Sequence, residues 1–237
     1  MVDVCSEEMA EQFLSSIKPR PGFAKRRVKV LHLRPAVSPE RGAGILRLCQ
    51  GLQELNLQIV ANVRDVENPL VQPLCDFNLG LTTLRMDLAS TFHDPHVFLP
   101  SLTLLQRVER LHLSNTWVAR RGLHIGLHEL RFRLTHLSFH VRPPGRHTAT
   151  HIEVLALILQ RFLRLRVVVL WRMDYHTSQE IYAHLIQRDL MDRRIVVFNL
   201  ASFTEFAEPV STFWEVAEQI VRWRESNEGM IIFRCEV

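Results

Sequence analysis

Seven segments of this chain share one spacing of apolar residues, apolar-x-x-apolar-x-apolar: Val28–Leu33, Leu52–Leu57, Leu81–Met86, Val108–Leu113, Leu134–Phe139, Leu165–Leu170 and Ile195–Leu200. Their starts lie 24, 29, 27, 26, 31 and 30 residues apart. A period in that range predicts a stack of like units that bury their apolar faces on one another, because a single unit of this size has no core of its own. The last two apolar positions of each segment are two apart, the alternation of a strand.

Between these segments the period turns helical. The clearest stretch is Thr150–Leu163, with Ile152, Leu155, Leu159, Phe162 and Leu163 on one face; Ser178–Met191 carries Ile181, Leu185, Ile186 and Leu190 behind a capping Ser178. The expected fold class is therefore α/β: a solenoid of about seven irregular strand–helix units. Its parallel sheet lines the concave face and its helices lie outside. Three regions follow, 1–27 as an N-terminal capping helix and basic linker, 28–203 as the solenoid, and 204–237 as a C-terminal capping helix and final strand. Glu7–Ile17 reads as the first cap, ended by Pro19 and Pro21. Thr212-x-x-Glu215 reads as a capping box that opens a helix to about Arg224, and Met230–Phe233 as the last strand. Arg142-Pro-Pro-Gly-Arg146 reads as a surface loop.

With 47% hydrophobic and 23% charged residues the chain is that of a folded domain, and a net charge of +4 with one dense basic run, Arg20–Lys29, does not make the stripe nucleic-acid binding needs. The longest strongly apolar run, Val154–Leu159, is far too short to cross a bilayer. Four cysteines without regular spacing and an acidic start without a signal-peptide pattern point to the cytoplasm and/or nucleus. Lysine occurs only at 18, 25 and 29, against 26 arginines. Codon bias and selection against lysine beside ubiquitin-transfer machinery are the two readings of that imbalance.

Leu52-Gln-Glu-Leu-Asn-Leu57, Val108-Glu-Arg-Leu-His-Leu113 and Leu134-Thr-His-Leu-Ser-Phe139 resemble the L-x-x-L-x-L core of leucine-rich repeats, over about residues 28–200. The asparagine usual three residues beyond the last leucine is missing; Ala36, Val60, Ala89, Thr116, Arg142, Met173 and Phe203 stand there. Long uneven repeats of this kind resemble the repeat regions of F-box proteins, especially the divergent families expanded in fungi. That resemblance implies a substrate-holding surface whose F-box partner module docks to a cullin-type ubiquitin ligase. No leucine-proline F-box opening occurs in Met1–Arg27.

No nucleophile elbow, phosphate loop or kinase signature is present, and the expectation is a non-catalytic protein–protein interaction module without cofactor, contacting neither nucleic acid nor membrane. The alternatives are a free-standing scaffold unrelated to ubiquitin and a histidine-rich metal-dependent enzyme. The latter would draw on His124/His128 and His147/His151, spaced i, i+4, or on His112, His136 and His140, expected as solvated side chains on neighbouring strands. Strand alternation turns Arg34, Glu54, Asn56, Arg85, Asp87, Arg110, His112, His136, His140, Val167, Val169 and Trp171 onto the concave face, where a partner would sit; Val197, Asn199 and Ala201 are the outward positions of the last unit. Val167, Val169 and Trp171 have two readings. They are either the exposed centre of the partner contact, with Arg85, Arg110 and His136 orienting it, or core beneath the C-terminal cap or the 142–146 loop.

Overall fold

The computed structural model describes residues 1–60, 68–76, 80–87, 91–92, 103–116, 128–141, 148–172, 178–199 and 211–227. The elements run β1 (Val2–Val4), α1 (Glu7–Ile17), α2 (Pro21–Arg27), β2 (Val30–Leu33), α3 (Pro39–Leu48), β3 (Glu54–Leu57), α4 (Val71–Asp76), β4 (Thr83–Met86), β5 (Arg110–Thr116), β6 (His136–Val141), α5 (Thr148–Arg161), β7 (Val167–Arg172), α6 (Ser178–Gln187), β8 (Ile195–Asn199) and α7 (Ser211–Ser226). Short 3-10 turns, Thr103–Arg107 and His128–Phe132, precede β5 and β6.

All eight strands form one parallel sheet in chain order, each paired with its predecessor. This is the arrangement a stacked repeat dictates. From β2 to β7 the register superposes the repeat position by position: Leu31, Leu55, Leu84, Leu111, Leu137 and Val168 lie side by side. These six side chains are at most 1% exposed and form the spine of a core shared with Ala10, Ile45, Leu74, Leu155, Ile158 and Leu185 of the helices. Burying each leucine is worth about 1.5–3 kcal/mol, so the repeated leucine holds the units together.

The sheet has eight strands, one more than the repeat count. Val2–Val4 pairs with Leu31–Leu33, so the region expected as a cap and linker supplies an edge strand, and its basic run forms α2 with Lys25, Arg26 and Arg27 exposed. The N-terminal edge is tied down by Glu7. Its carboxylate accepts from the Ser38 amide and hydroxyl at 2.8 Å each and pairs with Arg41. The Ser38 backbone hydrogen bond holds the Glu7 carboxyl below its ordinary range.

Helix α1 falls where its periodicity places it. Helix α5 stops at Arg161, two residues short of the expected end, and Leu163 is 86% exposed instead of on its apolar face. Helix α6 likewise ends at Gln187, not Met191, with Ile186 exposed.

The last repeat unit is in a different register from the one its spacing suggests. Val168 pairs with Ile195 and Leu170 with Val197, so Asp192 takes the place that Leu165 fills in the preceding unit. Val197 therefore faces the helices, and Val196 and Phe198 take the opposite face. Asp192 is fixed by a bidentate hydrogen bond from Arg194, whose guanidinium also donates to the carbonyls of Leu165 and Leu159. Burial raises the Asp192 carboxyl, the Arg194 hydrogen bonds outweigh it, and the net pKa is lowered. Ala201, the 142–146 loop, His124, His147 and the expected strand Met230–Phe233 lie outside the described residues.

Candidate functional site

Helices α1 to α6 cover one face of the sheet, and the side chains of the other, open face come from the alternate strand positions. Three rows run across it in register. The middle row is Asp3, His32, Asn56, Arg85, His112, Ser138, Val169 and Val196, and it changes from polar to apolar after Ser138.

The apolar end is closed. Helix α7 lies across β7 and β8 and packs Phe213, Trp214, Ala217 and Val221 onto Val167, Val169, Trp171, Val196 and Phe198. Trp171 is 4% exposed, with its ring 5.2 Å from Phe213 and 5.4 Å from Phe198. Val167, Val169 and Trp171 are therefore core and not an exposed hot spot. The physical reason is that α7 is amphipathic, and its apolar stripe matches the one apolar stretch of the open face. It covers a face of the sheet rather than capping its edge. It begins at Ser211, so Thr212 lies inside its first turn and not at the cap.

A carboxylate fixes the position of α7 along the strands. Glu218 Oε1 accepts from His136 Nε2 at 2.8 Å and from Arg110 Nη2 at 3.2 Å, and Oε2 accepts from Arg222 at 3.0 Å. Two of the expected partner-contact residues, Arg110 and His136, are thus spent on holding the helix. Burial, with Arg110 close by and Glu218 acting in the opposite sense, lowers His136 to about 4. A cleft of about 830 Å³ opens beside this junction, lined by Leu163, Arg166, Arg193, Glu218, Arg222 and Glu225. Two of its arginines are matched by carboxylates, Arg222–Glu218 at 3.0 Å and Arg193–Glu225 at 3.8 Å.

The histidines expected as solvated are buried: His112 is 2%, His136 5% and His140 6% exposed. Strand alternation gives their face correctly, and α7 covers two of them, with Phe213 against His112 and Trp214 against His136. His112 sits against Phe213 with ring centres 5.6 Å apart and against His140 at 5.5 Å. The Ser138 hydroxyl accepts from Trp171 Nε1 at 2.6 Å and lies 2.9 Å from His112 Nδ1. The indole nitrogen only donates, and the hydroxyl, with two acceptor sites and one proton, pairs with Nδ1 in either His112 tautomer. Burial, then Arg85 and His140, push His112 well below the usual histidine range. Burial and Arg85 hold His140 at about 4. Both rings are neutral at neutral pH.

Towards β2 and β3 the open face stays polar. Arg34 donates to Asp3 through Nε at 3.0 Å and Nη2 at 2.9 Å, and the Arg34 hydrogen bond lowers the Asp3 carboxyl. His32 Nε2 lies 3.6 Å from Glu54 Oε1, beyond hydrogen-bonding distance. Asp87, half-buried, ends β4, and its carbonyl accepts from Thr91 Oγ1 at 2.8 Å. Thr91 in turn accepts from Asn68 at 2.7 Å; this bridge between loops stands where the repeat lacks its asparagine. Among the described residues, His32 Nε2, Glu54 Oε1, Asn56 Oδ1, Arg85 Nε, His112 Nε2 and both ring nitrogens of His140 are buried without a hydrogen-bond partner. No signal in the sequence distinguishes these groups from solvated strand residues.

Among the described residues no group of three or more His, Cys, Asp or Glu side chains could hold a metal ion, and no helix is long and apolar enough to cross a membrane. Cys5 and Cys49 are free thiols, and burial pushes the Cys49 thiol up to about 12. No protein-family model matches the chain, and no curated protein matches its sequence significantly.

Proposed function

We propose that the chain is a degenerate leucine-rich-repeat solenoid that acts as a non-catalytic protein-interaction module, using the polar part of its open face as the contact surface. One observation carries this reading. Five successive strands, β2 to β6, direct hydrogen-bonding groups onto one face, and several of these have no partner among the described residues. Folded proteins rarely leave such groups unpaired when nothing external takes them up. Arg34, Glu54, Arg85 and Asp87 form the contact surface in this reading, with Asn56, 3% exposed, beneath it. His112 and His140 are its floor, and Val167, Val169 and Trp171 support it from beneath α7.

A degradation substrate is the partner class favoured by a second observation. All three lysines lie within the first 29 residues, on exposed positions at the N-terminal edge, so the rest of the solenoid offers no ubiquitin acceptor. That suits the substrate-binding part of an F-box-type adaptor in the cytoplasm or nucleus. A free-standing scaffold is the other form of the same reading.

Proximity labelling in cells, with the wild-type chain beside Arg85→Glu, tests it. A partner enriched by the wild type and at least tenfold depleted by the folded variant supports the interaction surface, and cullin-ligase subunits among the labelled proteins support the adaptor form. Identical labelled sets from both chains overturn it.

A further inference from the structure

We propose that Arg85, His112 and His140 form a binding site for an oxyanion, a phosphate or carboxylate group, on the open face of the sheet. The site stands on an imbalance of charge and of hydrogen-bond donors. Other guanidiniums of this fold have partners: Arg34 has Asp3, Arg41 has Glu7 and Glu11, Arg110 has Glu218, and Arg194 has Asp192. Arg85 is partly buried, yet it makes no ion pair or hydrogen bond among the described residues, and its Nε is wholly buried and unpartnered.

The groups around Arg85 are donors too. His112 is its register partner on β5, one strand spacing away, about 4.8 Å. His112 Nε2 is buried and has no partner among the described residues, so in the tautomer that carries its proton there it is an unused donor. His140 lies 5.5 Å from His112 between ring centres, and both its nitrogens are unpartnered, so whichever carries the proton is a further unused donor. On the other side Asn56 pairs in register with Arg85. Its buried Oδ1 is also unpartnered, and exchanging the two amide atoms turns it into a fourth donor.

Water could accept these hydrogen bonds but would leave the guanidinium charge uncompensated in a poorly solvated place. An oxyanion answers both needs, because its oxygens accept several N–H groups while its charge opposes that of Arg85. Burial, with Arg34 adding to it, lowers Arg85 to about 10, as an uncompensated charge in a poorly solvated place should be. The site does not depend on the protein-interaction reading, since a free anion tests it on the isolated chain.

Titrate the purified protein with sodium phosphate and, separately, sodium acetate at constant ionic strength, following the histidine ring protons by NMR and the melting temperature. A saturable shift of the His112 and His140 resonances, with no comparable shift of His136, and a rise in melting temperature are expected. Saturation by phosphate alone points to a phosphate source, and saturation by acetate as well points to a carboxylate. Arg85→Gln should fold and lose the response. Asn56→Asp, which places a carboxylate beside Arg85, should raise the melting temperature and abolish the response from within. No saturable shift with either anion overturns the proposal, as does a response that survives both substitutions.

Discussion

His136 Nε2 donates to Glu218 Oε1 at 2.8 Å, joining the sixth strand to the C-terminal helix across 82 positions of sequence. The contact decides which parts of the open face are available, because it sets α7 over β7 and β8 and not over β2 to β4. Glu218 also takes a hydrogen bond from Arg110, so removing its carboxylate leaves a buried imidazole and a half-buried guanidinium without their acceptor. Glu218→Ala should therefore cost about 1–3 kcal/mol in urea unfolding, with Glu218→Gln closer to wild type because an acceptor oxygen remains. Equal midpoints for Glu218→Ala and wild type contradict the anchoring role.

Trp214, on the sheet-facing side of α7, is fully buried, and its indole N–H has no partner among the described residues. Its ring is therefore the whole of its contribution. Trp214→Ala should destabilise by about 3–5 kcal/mol through the cavity left behind. Trp214→Phe should cost clearly less, since it deletes an unsatisfied donor together with part of the ring. Equal losses from the two, measured by chemical denaturation, go against this packing.

Burial holds His140, with Arg85 nearby, and His136, with Arg110 nearby, at about 4 in the folded chain. The unfolded chain titrates near 6.5 and so binds more protons across that interval. Stability is then full above pH 6.5 and falls as the pH drops towards 4, by about 1.4 kcal/mol for each ring at pH 5.5. His112, pushed down further, acts in the same direction. The lowered carboxyls of Asp3 and Glu7 weaken the fold only at more acidic pH, so the two effects separate. Unfolding free energies compared at pH 7.5 and 5.5 check this, and a flat profile is inconsistent with buried neutral histidines.

Gly51 follows α3 where the backbone of α2 comes close. A Cβ there would collide with the Lys25 carbonyl, which is backbone and cannot swing aside. Gly51→Ala should destabilise by about 1–3 kcal/mol, as overpacking does, by forcing α2 away from the sheet. Gly22, where a Cβ meets nothing within 4 Å, serves as the control position, and equal melting temperatures for Gly51→Ala and Gly22→Ala would contradict the close approach.

The leucine spacing carried the architecture into the sequence because stacking forces the same side chain to recur at the same register position, as Leu55, Leu84 and Leu111 do. Where that constraint relaxes, the pattern becomes unreadable. Val2–Val4 is only three residues and has no leading apolar position, so β1 is silent. Asp192 replaces the leading leucine of the last unit and is held by Arg194, so Ile195–Leu200 imitates a repeat in the wrong frame. The open face was legible in its membership and not in its exposure. Alternation finds His112, His136 and Trp171 on that face, but the Phe213 and Trp214 rings that cover them sit on a helix far later in the chain, with no local signature in the strands it covers.

The central claim is that recognition lies at the polar part of the open face, around Arg85, and that Trp171 supports it as core. Measuring capture of the partner enriched by proximity labelling, with wild type, Arg85→Glu and Trp171→Ala each corrected for folded fraction, tests this most directly. Arg85→Glu should lose capture at unchanged stability, and Trp171→Ala should lose stability while its folded fraction captures normally. Full capture by Arg85→Glu together with lost capture by folded Trp171→Ala would contradict it.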